Sequence, residues 1–153
     1  MSYRRPHEYR LGNSTLTVGE LAEFVMETFK KKVSFFSRDH LPFAIRLTSF
    51  AFAEEWSKRS TLTDLFGRSI ALGGPLAFCF IDGRHEYEFV NQDFKFCDEF
   101  LLPGGLILFD DSADYTGSVS VRKLMRELTR SQAIGHRYEV IAKAPKYLIR
   151  KRP

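Results

Sequence analysis

The sequence predicts an α/β fold, and three observations carry the prediction. Leu76–Ile81 is a continuous apolar run ending at Asp82-Gly83, the pattern of a strand buried on both faces. Phe89, Val90, Phe94, Cys97 and Leu101 then recur at helical spacing within Glu86–Leu102. Leu106–Phe109 is a second short apolar run, and it ends in Asp110-Asp111. Strand, helix and strand in that order describe a parallel pair joined by a crossover helix, the unit of sheets wound with helices. At 153 residues the chain has the size of one domain.

The other elements follow in chain order. Met1 to Ser14 has no apolar period and reads as a loose arm. Thr17 with Glu20 forms a capping box, and Leu21, Phe24, Val25, Thr28 and Phe29 share one helical face, which predicts a helix from Val18 to Lys32. Val33–Ser37 reads as a short strand, and Ala44–Leu47 as another extended piece after the break at Arg38–Pro42. Phe50–Trp56 has helical character. Thr61–Leu72 reads as a helix closed by Gly73-Gly74-Pro75. Pro103-Gly104-Gly105 is expected to stop the helix that begins at Glu86. Ser118 or Ser120 can cap a helix running to Arg130, and Tyr138–Ala142 with Tyr147–Arg150 makes a closing hairpin around Ala144-Pro145.

Composition narrows the function classes. Hydrophobic residues make up 44% and charged residues 27%, enough apolar content for a packed core. Lys and Arg number 23 against 19 acids, and the excess gathers at Arg4-Arg5, Lys30-Lys31-Lys32 and Arg150-Lys151-Arg152. A charge of +4 permits an acidic partner without demanding one, and no nucleic-acid partner is expected. No apolar run approaches the roughly 18 residues of a membrane span. Met1–Arg10 is polar and charged with no signal-peptide core, and Cys79 and Cys97 read as two buried, reduced thiols. A cytoplasmic protein is the expectation.

Ligands of open α/β sheets sit at the carboxyl ends of the strands. Both apolar runs end there in acid, Asp82 on one and Asp110 with Asp111 on the other. One such Asp caps a helix, whereas three converging carboxylates repel each other and call for a cation or a hydroxyl-rich ligand. His85 follows Asp82 by three residues, on the loop entering the helix, and imidazole is suited to moving a proton near neutral pH. Tyr87 either packs over a ligand or opens that helix.

The stretch Ile81-Asp82-Gly83-Arg84-His85-Glu86-Tyr87, then Asp93, then Leu101-Leu102-Pro103-Gly104-Gly105-Leu106-Ile107-Leu108-Phe109-Asp110-Asp111-Ser112, resembles the class I S-adenosylmethionine-dependent methyltransferases. Within them it is most similar to the group with an I-D-G-x-H-x-Y motif and a P-G-G…D-D strand. The resemblance covers Gly74–Ser112 and continues loosely to Lys143-Ala144-Pro145-Lys146-Tyr147. It implies a Rossmann-like, doubly wound, mostly parallel sheet of seven strands with an antiparallel carboxy-terminal hairpin. It implies S-adenosylmethionine as cofactor, with Ser49, Asp82, Gly83 and Tyr87 at its site. By likeness to the metal-dependent O-methyltransferases, Asp82, Asp110 and Asp111 would hold Mg²⁺, and His85 would stand where the catechol enzymes place a lysine base. Ser112 and Tyr115 would border a small hydroxylated acceptor. A hydrolase built on the same carboxylates is a further reading, with Ser112 as its candidate nucleophile.

The family's opening strand and glycine-rich E/D-x-G-x-x-x-G loop have no recognisable counterpart, since no apolar strand precedes Leu11-Gly12-Asn13-Ser14. The expectation is therefore an amino-terminally shortened domain whose exposed sheet edge pairs with a second copy or with a chain supplying the missing half. O-methylation of a small hydroxylated substrate is the leading reading. A non-catalytic remnant of the fold, kept as a binding module, is the alternative.

Overall fold

The computed structural model describes residues 16–37, 39–112, 118–130 and 136–153. They fall into two compact units, one from the chain up to Arg46 together with Leu62–Ile70, the other from Leu47–Thr61 and Ala71–Pro153. No helix among the described residues is long and apolar enough to cross a membrane.

In the first unit, α1 runs Val18–Phe36 and begins as the sequence predicts. Thr17 Oγ1 accepts from the Glu20 amide at 3.2 Å, and Glu20 Oε2 accepts from the Thr17 amide at 2.8 Å. Alanine at Thr17 removes half of this box and is expected to cost about 1 kcal/mol of helix stability. Amide exchange in the first turn of α1 should then quicken several-fold; unchanged protection would show that the cap does not hold that turn.

Three expectations fail along this part of the chain. Val33–Ser37 is not a strand, because no breaker follows Lys32 and the helix continues until the Ser37 amide donates to Val33 O. Ala44–Leu47 is irregular, and Ala44 O accepts from Leu65 rather than from a ladder partner. Thr61–Leu72 is likewise no helix: β1 (Thr61–Thr63) pairs with β2 (Ser69–Ala71) in a hairpin. The cause is Asp64, whose Oδ1 accepts from the Phe66 and Arg68 amides at 2.9 and 2.8 Å and bends the chain back. Arg68 returns the contact through Oδ2, and its guanidinium also donates to the carbonyls of Leu41 and Pro42. Burial pushes the Asp64 carboxyl up, but Arg68 and the two amides outweigh it and hold it below its ordinary range.

The second unit carries the α/β core. Helix α2 (Ser49–Ser57) is capped by Thr48 and packs Phe52 and Trp56 on Phe96. Then come β3 (Leu76–Ile81), α3 (Tyr87–Phe100), β4 (Leu101–Phe109), α4 (Val119–Arg130), β5 (Tyr138–Ala142) and β6 (Tyr147–Lys151). The sheet order is β3-β4-β6-β5. β3 and β4 are parallel, and β6 is antiparallel to both β4 and β5. The α/β class and the closing hairpin therefore hold. Of the mostly parallel, doubly wound sheet, the described residues of this sheet show one parallel pairing of three, because the hairpin returns directly onto β4.

Ile81, Ile107, Phe109, Tyr147 and Ile149 line one sheet face and are buried against Val90, Phe94 and Cys97 of α3 and Val121, Leu124, Met125 and Leu128 of α4. The opposite face leaves Phe78 and Phe80 exposed, so β3 is not buried on both faces. Among the described residues it is one of the two edge strands of this sheet, with β5 the other. Pro103-Gly104-Gly105 does not stop a helix. α3 has already ended at Phe100, and the three residues form a bulge inside β4, where the partner of β3 jumps from Leu101 to Leu106. Gly104 takes φ +80°, which the bulge requires and a side chain would resist. Both cysteines are free; Cys97 is buried and Cys79 half-buried. A hydrogen bond between them, with burial, raises the Cys97 thiol above its ordinary range.

Candidate functional site

Four predicted residues meet at the carboxyl ends of β3 and β4. The parallel register sets Ile81 opposite Phe109, and the Asp110 amide donates to Ile81 O at 2.9 Å, so Asp82 and Asp110 emerge side by side. Asp111 turns back with φ +44°, a left-handed conformation that Asp tolerates better than most side chains. The Ser118 amide fastens that turn by donating to Asp111 O at 2.7 Å.

His85 sits in the middle of the group. Its Nδ1 lies 3.1 Å from Asp111 Oδ2, and its Nε2 lies 4.0 Å from Asp82 Oδ1. Ser118 Oγ donates to the His85 carbonyl, tying the loop to the start of α4. The two ring nitrogens thus face two different carboxylates, Asp111 closely and Asp82 at a longer distance. Nε2 is buried and makes no hydrogen bond among the described residues, with the Asp82 carboxylate 4.0 Å away.

Lys146 completes the cluster and was not singled out from the sequence. Its ammonium bonds Asp110 Oδ1 and lies 5.3 Å from the centre of the Phe80 ring. The hydrogen bond to Asp110 holds Asp82 above the usual carboxylate range, with loss of solvent adding to it. The Lys146 contact holds Asp110 below that range and raises Lys146 in turn.

Ser49, at the start of α2, and Gly83 are also brought together. The Ser49 hydroxyl bonds Asp93 on α3, a residue that burial holds above the usual carboxylate range. A Cβ at Gly83 would stand 3.1 Å from Asp93 Oδ2 and 3.9 Å from Ser49 Oγ, so glycine there keeps a narrow polar corner open. Ser49, Asp82, Gly83 and Asp93 are the residues that could hold the polar parts of a cofactor.

Other assignments part from the cluster. Tyr87 turns to α4, its hydroxyl donating to Glu127 Oε2 at 2.5 Å and its ring lying 4.2 Å from Lys123 Nζ. It opens α3 and braces α4. Ser112 is fully buried, donating to Phe109 O and accepting from the Tyr147 amide, both at 2.7 Å. With its hydroxyl committed on both sides it cannot border a substrate, and the nucleophile of the hydrolase reading goes with it. Tyr115 lies outside the described residues.

The Mg²⁺ expectation does not fit this donor set. A hard cation needs several ionised oxygens turned to one centre. Here Asp82 and Asp110 face each other across a hydrogen bond, Lys146 takes Asp110, and His85 takes Asp111. Among the described residues no three His, Cys, Asp or Glu side chains gather as a metal-holding group.

The fold thus defines an α/β domain in which Asp82, His85, Asp110 and Asp111 gather at the ends of two parallel strands. A methyltransferase domain model matches residues 10–112, well over half of the chain. The protein belongs to that family, the class I S-adenosylmethionine-dependent methyltransferases. Membership implies S-adenosylmethionine as the methyl donor. The match also takes in Leu11-Gly12-Asn13-Ser14 and α1, well before the motifs that carry the resemblance in the sequence. An uncharacterized protein of Acanthamoeba polyphaga mimivirus is 34% identical over 70 residues, which is 43% of this chain and 32% of the viral protein. The matched region is thus about a third of that relative's length.

Proposed function

We propose that this domain methylates a hydroxyl oxygen of a small acceptor, with His85 as the general base. What supports the reading is the His85 imidazole, held at Nδ1 by Asp111 and making no hydrogen bond among the described residues at its buried Nε2. When bound, S-adenosylmethionine supplies a methyl carbon to the acceptor oxygen, and the carbon–sulfur pair stays on what becomes a neutral thioether. His85 Nε2 takes the hydroxyl proton as the oxygen becomes nucleophilic, and Asp111 compensates the charge that forms on the ring. Asp82, Gly83 and Ser49 hold the donor beside it, so the contribution of these residues is orientation.

Calorimetric titration of the full chain with S-adenosylhomocysteine tests the donor half of the proposal. Saturable one-to-one binding is expected, followed by S-adenosylhomocysteine formation with a panel of small phenols and sugars. A folded sample that releases no heat would sink this reading and leave the fold as a binding module.

A further inference from the structure

We infer that Lys146 occupies the place of a divalent cation at the Asp82–Asp110 pair, so that an internal ammonium, not a bound metal, organises the carboxylate end of the site. The inference rests on the methyl-transfer reading for its meaning, but not for its test.

Two carboxyls at the ends of neighbouring parallel strands are forced together by the backbone, since the Asp110 amide is bonded to Ile81 O and cannot swing away. Two carboxyls held this close favour a positive charge beside them, and the chain supplies one in the Lys146 ammonium on Asp110. Lys146 is the residue before β6, whose first residue Tyr147 pairs with Phe109 and donates its amide to the buried Ser112 hydroxyl. That tie fixes Lys146 beside the end of β4, and the exposed face of Phe80 supports its ammonium from one side. A divalent ion would have to displace this ammonium from Asp110 and also part Asp110 from Asp82. A tethered cation already in contact makes that exchange unfavourable, because two positive centres a few ångströms apart repel strongly.

The test is uptake of Mn²⁺ by the chain, read from the loss of the free-ion electron paramagnetic resonance signal. The wild type is expected to leave the signal unchanged in the micromolar range. Lys146→Met keeps the stem and removes the charge, and it should tighten Mn²⁺ binding by about tenfold or more. Lys146→Arg keeps the charge and should exclude the ion like the wild type. Circular dichroism of each variant establishes that it is folded before the ion is added. Micromolar uptake by the wild type overturns the inference, as does a folded Lys146→Met that binds no better, or Lys146→Arg gaining the ion as Lys146→Met does. S-adenosylhomocysteine titrated with and without EDTA separates the two claims. Equal binding in both supports metal independence, binding abolished by EDTA overturns it, and no binding in either strikes the methyl-transfer reading while the Mn²⁺ result stands.

Discussion

His85→Ala is expected to lower kcat for methyl transfer by about 10²–10⁴-fold while S-adenosylhomocysteine binds as before. Among the described residues the imidazole brings to the strand ends a buried nitrogen, Nε2, that makes no hydrogen bond, and its other nitrogen is held by Asp111. Removing it leaves the acceptor hydroxyl to lose its proton to water, which is neither placed nor activated. The donor should be indifferent, because the polar corner of Ser49, Gly83 and Asp93 involves no atom of the His85 ring. Folding should be little changed: the ring is 40% exposed, and Ser118 bonds the backbone carbonyl of His85, which alanine retains. The decisive measurement is kcat at saturating donor and acceptor, with the thermal midpoint as control. A kcat equal to the wild type would end the general-base role, whatever the acceptor.

The residues of this site were legible in the sequence to different depths, and the differences have physical causes. Asp82, His85, Asp110 and Asp111 could be found because each is local to the end of an apolar run, and the parallel register carries that adjacency into space. Lys146 could not, because it reaches Asp110 only through the antiparallel pairing of β6 with β4, across 36 residues of chain. The signal that could have found it is its place immediately before the last apolar strand, where any polar residue returns to the acidic end of β4. Ser112 misled for the opposite reason. The two residues before it are acidic and Asp111 is exposed, but its own hydroxyl points inward to join two strands.

Among the fold elements, turn chemistry was the weak point. Asp64 bends the chain by accepting from its own following amides, and that competition with helix hydrogen bonding is invisible to apolar periodicity. Pro103-Gly104-Gly105 carries the composition of a stop, yet a bulge within a strand needs the same residues as the end of a helix. Val33–Phe36 is β-branched and aromatic but sits behind fifteen helical residues, and propensity yields to a helix already propagating.

Phe109→Ala is expected to destabilise the protein by about 3–5 kcal/mol. Phe109 is fully buried at the last position of β4, with its ring against Phe94 of α3 at 6.2 Å between centroids. Its strand neighbours Ile81 and Tyr147 are both buried, so the lost ring leaves a void inside the core rather than at its edge. A domain of this size holds only about 5–15 kcal/mol in all, and the substitution would remove a large part of it. Urea unfolding followed by circular dichroism measures the loss. Phe80→Ala is the matched control: it removes the same ring one position earlier on the neighbouring strand, from a face that is 48% exposed, and should cost much less. The comparison also bears on the site. Phe109 immediately precedes Asp110 and Asp111, and its carbonyl accepts from Ser112, so a collapsed ring position would shift the carboxylates as well as weaken the core. Phe109→Ala should therefore lose methyl transfer under conditions where it is still folded. A variant that unfolds like the wild type would mean that the core does not close over this ring.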